Sequence, residues 1–442
     1  SVFFTLLLPG VPQLVVILAV GAVVIGYCTI GGNWAVMAND FVQGLIMVSV
    51  TVLITILCFN HAGGVGEFFS AMANSAHVDD LRFNTPLPDG QGLLEAPYGL
   101  SWLLVTFTVQ FFSMVSMFQG VRFFSAKDGR EAAKAAYLAA GLMVVGCLVF
   151  FIPPIFSRLF LFEEVMSMHT DPAKAPEFSF AVTSRYLLPK GAFSLMLASM
   201  LAAAISSLDT GLNRNSALIV RDLLPALLRG LGMKPIRAER EVFAGKLATV
   251  GLGCMIVVVA LFYSQMRGVT LFDLMLSIAN MLMLPQFIPL VLFLFIRKVP
   301  AWSALASMVA GFLPSVLNMS LGWGWSYQEK SLAIVLCSSS VFFISMAFYS
   351  RISTEERERV EAFYKNMKTP IDYAKEVGQN SDVFQLRQIG IFSLLLGGLT
   401  MLLLFMDNPL TGRLCIAAIG GFVISVGALM LWLAKRRALR GD

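Results

Sequence analysis

The sequence predicts an all-α protein, a single polytopic bundle of about eleven membrane-spanning helices. Of its 442 residues, 57% are hydrophobic and only 13% are charged, and the mean hydropathy is +0.77. A soluble domain carries about 25% charged residues. Apolar runs of about 18–25 residues recur along the chain, which is the length that a helix needs to cross a bilayer. This composition argues against a soluble globular protein.

The apolar runs give the predicted spans in order along the chain. They cover residues 12–30, 39–59, 99–118, 135–156, 190–213, 246–264, 271–296, 301–320, 331–350, 389–407 and 411–434. The span 271–296 contains Pro285 and Pro289, and a proline removes a backbone donor, so we expect a kink here, or a helix broken at mid-membrane as in secondary transporters. The charged connector 351–388 includes Thr354-Glu-Glu-Arg-Glu-Arg, which is typical of a capped surface helix.

Basic residues divide the loops into two sets, which predicts the orientation in the membrane. The richer set carries 24 of the 32 Lys and Arg residues and consists of 119–134, 214–246, 297–300, 351–388 and the tail from Lys435. Positively charged loops stay in the cytoplasm. We therefore expect a multi-pass protein of the cell membrane with Ser1 outside and the C-terminus in the cytoplasm.

No signature of an enzyme occurs in the sequence. It has no phosphate-binding Gly-x-x-x-x-Gly-Lys loop, no nucleophile elbow and no His-Glu metalloprotease helix. Its six cysteines lie in or beside apolar spans without a Cys-x-x-Cys pair, which is typical of small buried hydrophobic side chains. We expect no catalysis, no nucleic-acid partner and no obligate protein partner, and we expect a lipid bilayer around the helices.

The span at 190–213 has a face that a helix in lipid does not need. One helical stripe is apolar and consists of Leu201, Ile205, Leu208 and Leu212. The opposite stripe is small and oxygen-rich and consists of Ser199, Ala203, Ser206, Asp209, Thr210 and Asn213. A charged residue at the centre of a membrane helix costs about 2.5–3.5 kcal/mol on insertion scales, and hard cations prefer oxygen ligands. This face indicates a site or path for a cation such as sodium.

Two segments of the sequence carry recognisable motifs. Residues 31–43 read Gly-Gly-Asn-Trp-Ala-Val-Met-Ala-Asn-Asp-Phe-Val-Gln, and residues 203–209 read Ala-Ala-Ile-Ser-Ser-Leu-Asp. They resemble the Gly-Gly-x-x-Ala-Val-x-x-Thr-Asp-x-x-Gln signature and the Ala-x-x-Ser-Ser/Thr-Leu-Ser segment of the sodium:solute symporter family. Members of that family carry sugars, proline, sialic acid, nucleosides and other small solutes. Residues 121–128, Val-Arg-Phe-Phe-Ser-Ala-Lys-Asp, are more weakly similar to its cytoplasmic Arg-Phe-x-x-x-x-Asp stretch.

The resemblance implies a LeuT-like core of two inverted five-helix repeats within a single transmembrane domain. On that basis residues 12–59 are the end of the first repeat, 99–296 the second repeat and 301–442 the C-terminal accessory helices. In the family, several helices precede the Gly-Gly-x-x-Ala-Val motif, including the unwound first core helix. They do not precede it in this sequence, so we expect a partial core and a chain that is part of a longer protein.

The resemblance also implies sodium ligands. In the family, the Ala, Ser and Ser/Thr of the second motif form part of a sodium site, which carries over to the backbone carbonyl of Ala203 and the hydroxyls of Ser206 and Ser207. Some members bind a second sodium with the Asp of the first motif, here Asp40, and with side chains about one turn beyond the first site. The corresponding positions here are Ser206, Asp209 and Thr210. The family usually has Ser where this chain has Asp209.

Each of these residues also has a purely structural interpretation. Asp40 lies at the start of its span, where a carboxylate favours the helix N-terminus. Asp209 lies about 7 Å of helical rise from Arg214, so the two could form an interfacial pair, although Asp209 could also tighten cation binding or carry a proton. Hydroxyls such as those of Ser206 and Ser207 commonly bond back to their own helix.

Candidate substrate contacts are polar side chains on the central spans, namely Gln110, Ser113, Ser277 and Asn280. The resemblance and the oxygen-rich face together predict a sodium-coupled secondary symporter that imports a small polar solute, such as a sugar, amino acid, carboxylate or nucleoside, by alternating access. Three alternatives stay open. They are a proton-coupled or uncoupled carrier in which Asp209 titrates, a membrane sensor or scaffold with the same fold, and a channel.

Overall fold

A computed structural model of the protein describes residues 10–30, 33–75, 99–115, 126, 129–233, 238–265, 270–369 and 382–440, and within these ranges every regular element is a helix. In chain order the helices are α1 (Gln13–Ile30), α2 (Asn33–His61), α3 (Val65–Ala73), α4 (Leu100–Val115), α5 (Gly129–Phe160), α6 (Phe162–Ser167), α7 (Ser179–Leu187), α8 (Ala192–Leu218), α9 (Leu224–Gly230), α10 (Ala238–Gln265), α11 (Leu271–Ile278), α12 (Leu284–Phe295), α13 (Ser303–Leu321), α14 (Tyr327–Ser345), α15 (Thr354–Lys368), α16 (Asp382–Met401) and α17 (Leu410–Arg440).

Apolar helices occupy all the predicted spans, which confirms the polytopic all-α fold. Within the described ranges, nine helices are long and apolar enough to cross a membrane, and α1 and α4 are shorter apolar helices at the first and third predicted spans. The helix whose end differs most clearly from that of its predicted span is α8. The fifth span was expected to end at 213, but the helix runs to Leu218 and continues through a π-helical turn into α9.

Two π-helical turns, Ile219–Leu223 and Ala279–Met283, join α8 to α9 and α11 to α12. Each turn is followed by a Leu-Pro pair, which ends at Pro225 in the first case and at Pro285 in the second. A proline ring clashes with the carbonyl four residues earlier, and the wider π turn gives that carbonyl room. The helix that contains Pro285 and Pro289 is therefore distorted but continuous.

The described helices form two compact units, each assembled from segments that are not consecutive. Unit 1 comprises Ser1–Met72, Gly146–Gly268 and Ser381–Asp442, and unit 2 comprises Ala73–Val145 and Val269–Asn380. The core of unit 1 contains α2, α5, α8 and α17. Its fully or nearly fully buried members include Val50, Ile54, Phe156, Met196, Ile416 and Val423.

Gly397 of α16 and Gly420 of α17 lie where these two helices of unit 1 are in close contact. A Cβ atom at Gly397 would lie 2.6 Å from the Cγ1 atom of Ile424 and 3.2 Å from the carbonyl of Gly420. Only a residue without a side chain fits at this position, because real Cβ atoms do not approach other atoms so closely. The backbones of the two helices touch here.

Small residues pack the helices of unit 2 in the same way. The α13 helix buries a stripe of Ser303, Ser307, Gly311 and Pro314. The hydroxyl of Ser307 lies 2.7 Å from the carbonyl of Ser338 on α14, and a Cβ atom at Gly311 would lie 2.9 Å from that of Pro285. Small side chains and interhelical hydrogen bonds are what hold helices together in lipid.

The predicted surface helix is α15, and it is anchored to the end of α12. The side chain of Ser353 caps α15 by accepting the N–H of Glu356. The buried Tyr364 donates its hydroxyl to the carbonyls of Phe293 and Ile296, the latter at 2.9 Å. The last carbonyls of a helix have no partner within it, so Tyr364 satisfies groups that α12 cannot satisfy itself.

Candidate cation site

The apolar stripe of α8 packs as predicted for three of its four residues. Ile205, Leu208 and Leu212 form a cluster with Val24 and Cys28 of α1 and with partly buried side chains of α10. This contact fixes the rotation of α8 about its axis. As a result, the polar stripe that contains Ser206 and Thr210 lies away from this apolar cluster.

Two hydroxyls of that polar stripe have no hydrogen-bond partner in the part of the chain that the structure describes. Elsewhere in the spans, a hydroxyl such as that of Ser49, Thr51 or Thr249 donates to the carbonyl four residues earlier at 2.7–3.0 Å. Ser206 and Thr210, one turn apart on α8, make no hydrogen bond with any described residue. Their oxygens are therefore available to a ligand.

The other two residues of the predicted first site are joined to each other. The hydroxyl of Ser207 donates to the carbonyl of Ala203 at 3.1 Å. This is the back-bonding that serine hydroxyls often make in helices. It leaves the lone pairs of the Ser207 hydroxyl for another partner, whereas the carbonyl of Ala203 accepts both this hydroxyl and the helical N–H of Ser207. Ser207 and Thr210 are exposed, and Ala203 and Ser206 are half-buried.

The α2 helix packs directly against α8 and carries two buried acceptor atoms that have no donor among the described residues. They are the Oδ1 atom of Asp40 and the Oε1 atom of Gln43, which lie on one face of α2 because their spacing is three residues. A buried acceptor without a donor is costly and calls for an explanation. A hard cation, which prefers carboxylate and amide oxygens, fits both atoms.

The structure thus brings together the two helices that carry the predicted ligands, but it shows no hydrogen bond between the Oδ1 atom of Asp40 and the described side chains of α8. The side chain of Asp209 lies outside the described residues, as do the backbone of Gly31-Gly32 and, apart from Ala126, the motif at 121–128. Gln43 was not among the predicted ligands. The sequence could have indicated Gln43 as a ligand, because it is the last residue of the motif that contains Asp40.

The four predicted substrate residues lie in unit 2 and differ in exposure. Gln110 and Ser277 are exposed, and Ser113 is half-buried. Asn280 is only 4% exposed and lies in the π-helical turn between α11 and α12. Its Oδ1 atom accepts a hydrogen bond from the hydroxyl of Ser331 at 2.9 Å, and its amide nitrogen donates one to the carbonyl of Tyr327 at 3.4 Å.

The comparison with protein families decides the assignment. The model of the sodium:solute symporter family matches residues 2–311. The chain belongs to the sodium:solute symporter family. The matched region contains α1 to α12 and both motifs, including Asp40, Gln43 and the residues 203–210 of α8.

Several curated members of the sodium:solute symporter family are similar to this chain. The high-affinity proline transporter PutP of Bacillus subtilis (strain 168) is 26% identical over 328 residues, which is 74% of this chain and 64% of PutP. The sodium/mannose cotransporter SLC5A10 of Bos taurus is 27% identical over 70% of this chain and 53% of its own length. The sodium/sialic acid symporter NanT of Aliivibrio fischeri (strain ATCC 700601 / ES114) is 26% identical over 68% and 57%. The matched part of the chain thus covers between 53% and 64% of the length of each of these three relatives.

Proposed function

We propose that this chain carries out sodium-coupled import of a small polar solute by alternating access. The observation that supports this most directly is a set of oxygens on two packed helices that have no partner among the described residues: the hydroxyls of Ser206 and Thr210 on α8 and the buried atoms of Asp40 and Gln43 on α2. Oxygen ligands of this kind suit sodium. Two of the relatives are named for the transport of a solute together with sodium.

In this proposal the ion meets Ser206, Ser207 and the carbonyl of Ala203 first and then moves toward Asp209, Thr210 and Asp40 near the cytoplasmic face. The direction follows from the bias of Lys and Arg toward one set of loops, which supports a cytoplasmic location for that set. Entry of one sodium ion across a potential of 100 mV releases about 2.3 kcal/mol. Coupling requires that the ion stabilise the conformation that binds the solute.

The solute is proposed to be an amino acid or a sugar, the classes that the names of the relatives indicate. Gln110, Ser113 and Ser277 stay candidates for contacts to it because each lies on α4 or α11 with an exposed or half-buried side chain. Asn280 stays a candidate as well. Its two hydrogen bonds would then have to be exchanged for bonds to the solute.

The test is uptake by the full chain in proteoliposomes. Labelled proline, mannose and sialic acid are offered at fixed pH with an inward gradient of sodium or of potassium. Accumulation that needs sodium supports the proposal. Accumulation that follows a proton gradient and ignores sodium indicates proton coupling, with Asp209 as the titrating group. Binding without accumulation indicates a sensor or scaffold.

A further inference from the structure

A cavity of about 490 Å³ lies in unit 1 at the ends of three spans. Its lining includes Lys190 from the turn before α8, Asp407 from the segment between α16 and α17, and Leu57 near the end of α2. Small-molecule sites have volumes of about 300–1,000 Å³. Leu57 and Asp40 are about 25 Å apart along the axis of α2, so this cavity is not the candidate cation site.

Direct contacts hold the two walls of the cavity together. The side chain of Asn408 is buried, and its amide donates a hydrogen bond of 3.0 Å to the carbonyl of Lys190. A Cβ atom at Gly412 would lie only 2.8 Å from the Cβ atom of Pro189. The cavity is therefore formed before any ligand arrives, which lowers the cost of binding.

Two side chains of opposite charge line the cavity, and neither is paired with another described residue. Lys190 and Asp407 are both exposed, and the side chain of neither one forms an ion pair or a hydrogen bond with a described residue. The α17 helix begins beside them at Leu410, with Thr411 in the lining. The first N–H groups of a helix favour a negative group.

We propose that this cavity binds a small zwitterion. The anionic group, a carboxylate or a phosphate, is held by the ammonium of Lys190 and the start of α17. The cationic group, an ammonium, is held by the carboxylate of Asp407. A free metabolite and the headgroup of phosphatidylethanolamine share this chemistry, and the position of the cavity at the ends of spans gives access to both.

Cys415, which is half-buried and lines the cavity, allows a direct test. The full chain is prepared with the three exposed cysteines, Cys147, Cys254 and Cys337, replaced by Ala. The rate at which N-ethylmaleimide alkylates Cys415 is then measured. The first arm adds O-phosphoethanolamine to protein in a maltoside detergent. The second arm compares nanodiscs of phosphatidylglycerol with and without phosphatidylethanolamine.

We expect the zwitterion to slow alkylation in a saturable way. Lys190→Gln and Asp407→Asn should each raise the half-protecting concentration about tenfold, the loss typical of one hydrogen bond to a charged group. Lys190→Arg should keep most of the protection. Matched controls are Arg413→Gln and Glu163→Gln, which remove exposed charges that do not line the cavity and should leave the protection unchanged.

Slowing by O-phosphoethanolamine identifies a soluble ligand, and slowing only in the nanodiscs with phosphatidylethanolamine identifies a lipid headgroup; both support the proposal. Three results would overturn it. The first is that alkylation is not slowed in either arm. The second is that Lys190→Gln and Asp407→Asn are protected as well as the protein without these substitutions. The third is that inorganic phosphate protects Cys415 as well as O-phosphoethanolamine does, with no effect of Asp407→Asn. The last result would mean a simple anion site.

Discussion

The hydroxyl of Thr55 on α2 donates a hydrogen bond of 2.9 Å to the carbonyl oxygen of Val149 on α5. In a regular helix that carbonyl accepts the N–H of residue 153, but residue 153 is a proline and has no N–H. Thr55 also points its hydroxyl at the carbonyl of Thr51 on its own helix, at 2.9 Å. A neighbouring helix thus satisfies a backbone group that the apolar surroundings cannot satisfy.

Replacing Thr55 by the isosteric valine should destabilise unit 1. The carbonyl of Val149 would lose its donor while staying in an apolar environment, which costs about 1–3 kcal/mol. The loss is measured as a shift of the unfolding curve when SDS is added to the protein in mixed micelles. The matched control is Thr51→Val, because the hydroxyl of Thr51 donates to the carbonyl of Met47 on its own helix and to no other described residue. Equal losses in the two variants would contradict the assigned role of Thr55.

Ser206→Ala should raise the sodium concentration that gives half-maximal uptake. The substitution removes one oxygen from the candidate site without removing a hydrogen bond, since Ser206 makes none with the described residues. Sodium titration of uptake in proteoliposomes measures the effect, and we expect about a tenfold rise if one ligand contributes about 1.4 kcal/mol. Ser425→Ala, which removes an exposed hydroxyl that bonds back to its own helix on α17, should change nothing. Unchanged sodium dependence in Ser206→Ala would argue strongly against this site.

Tyr364→Phe should loosen α15 from the end of α12. The variant keeps the ring but removes the hydroxyl that donates to Phe293 and Ile296, so two terminal carbonyls lose their donor. We expect a local loss of about 1–3 kcal/mol, seen as faster hydrogen exchange across Thr354–Lys368 in mass spectrometry. Tyr349→Phe serves as the control, because the hydroxyl of Tyr349 bonds to no described residue. If exchange in α15 were the same in both variants, Tyr364 would not be its anchor.

Alkaline pH should also weaken the hydrogen bonds that the Tyr364 hydroxyl makes to the end of α12. Burial raises the pKa of Tyr364 above its ordinary value, and the charge of Arg297 offsets part of that rise. Because the folded-state pKa exceeds the unfolded value of about 10, the stabilisation is fully present below about pH 10 and is lost as the pH rises through the folded-state value. Exchange in α15, corrected for its intrinsic pH dependence, should therefore stay constant from about pH 6 to 9 and accelerate above about pH 10. Tyr364→Phe should show no such acceleration.

The neighbouring glycines of α16 should tolerate alanine very differently. A Cβ atom at Gly397 meets Ile424 at 2.6 Å, whereas one at Gly398 meets nothing within 4 Å. Gly397→Ala should force α16 and α17 apart and cost about 1–3 kcal/mol. Gly398→Ala should be neutral or stabilising by up to about 1 kcal/mol, because alanine favours a helix. Unfolding in SDS compares the two, and a similar cost at both positions would show that α16 and α17 do not pack through Gly397.

The spans could be predicted from the sequence because length and hydropathy are local properties. Their ends were harder to place. The helix at α8 was expected to stop at 213, where Arg214 and Asn215 make the sequence polar, but the backbone stays helical through Leu218. Polar side chains that follow an apolar run mark the end of the hydrophobic segment, and a helix can continue past that point.

The candidate site was predicted only in part, for a related reason. Periodicity placed Ser206 and Thr210 on one face, since that needs only the geometry of one helix. It could not show that Ser207 bonds back to Ala203 or that the Oε1 atom of the half-buried Gln43 has no donor among the described residues, because both depend on rotamers and on neighbouring helices. Contacts such as that of Thr55 with Val149 join distant segments, and no local pattern encodes them.

The core around α2 includes Ile46 and Val50 from early in the chain and Ile416 and Val423 from late in it. During synthesis, α2 enters the bilayer long before the helix that completes its surroundings has left the ribosome. Until then the part of its surface that α17 covers has only lipids or the insertion machinery to contact. Assembly of unit 1 therefore depends on completion of translation. A ribosome that stalls before residue 416 leaves an incomplete helix bundle for membrane quality control to recognise.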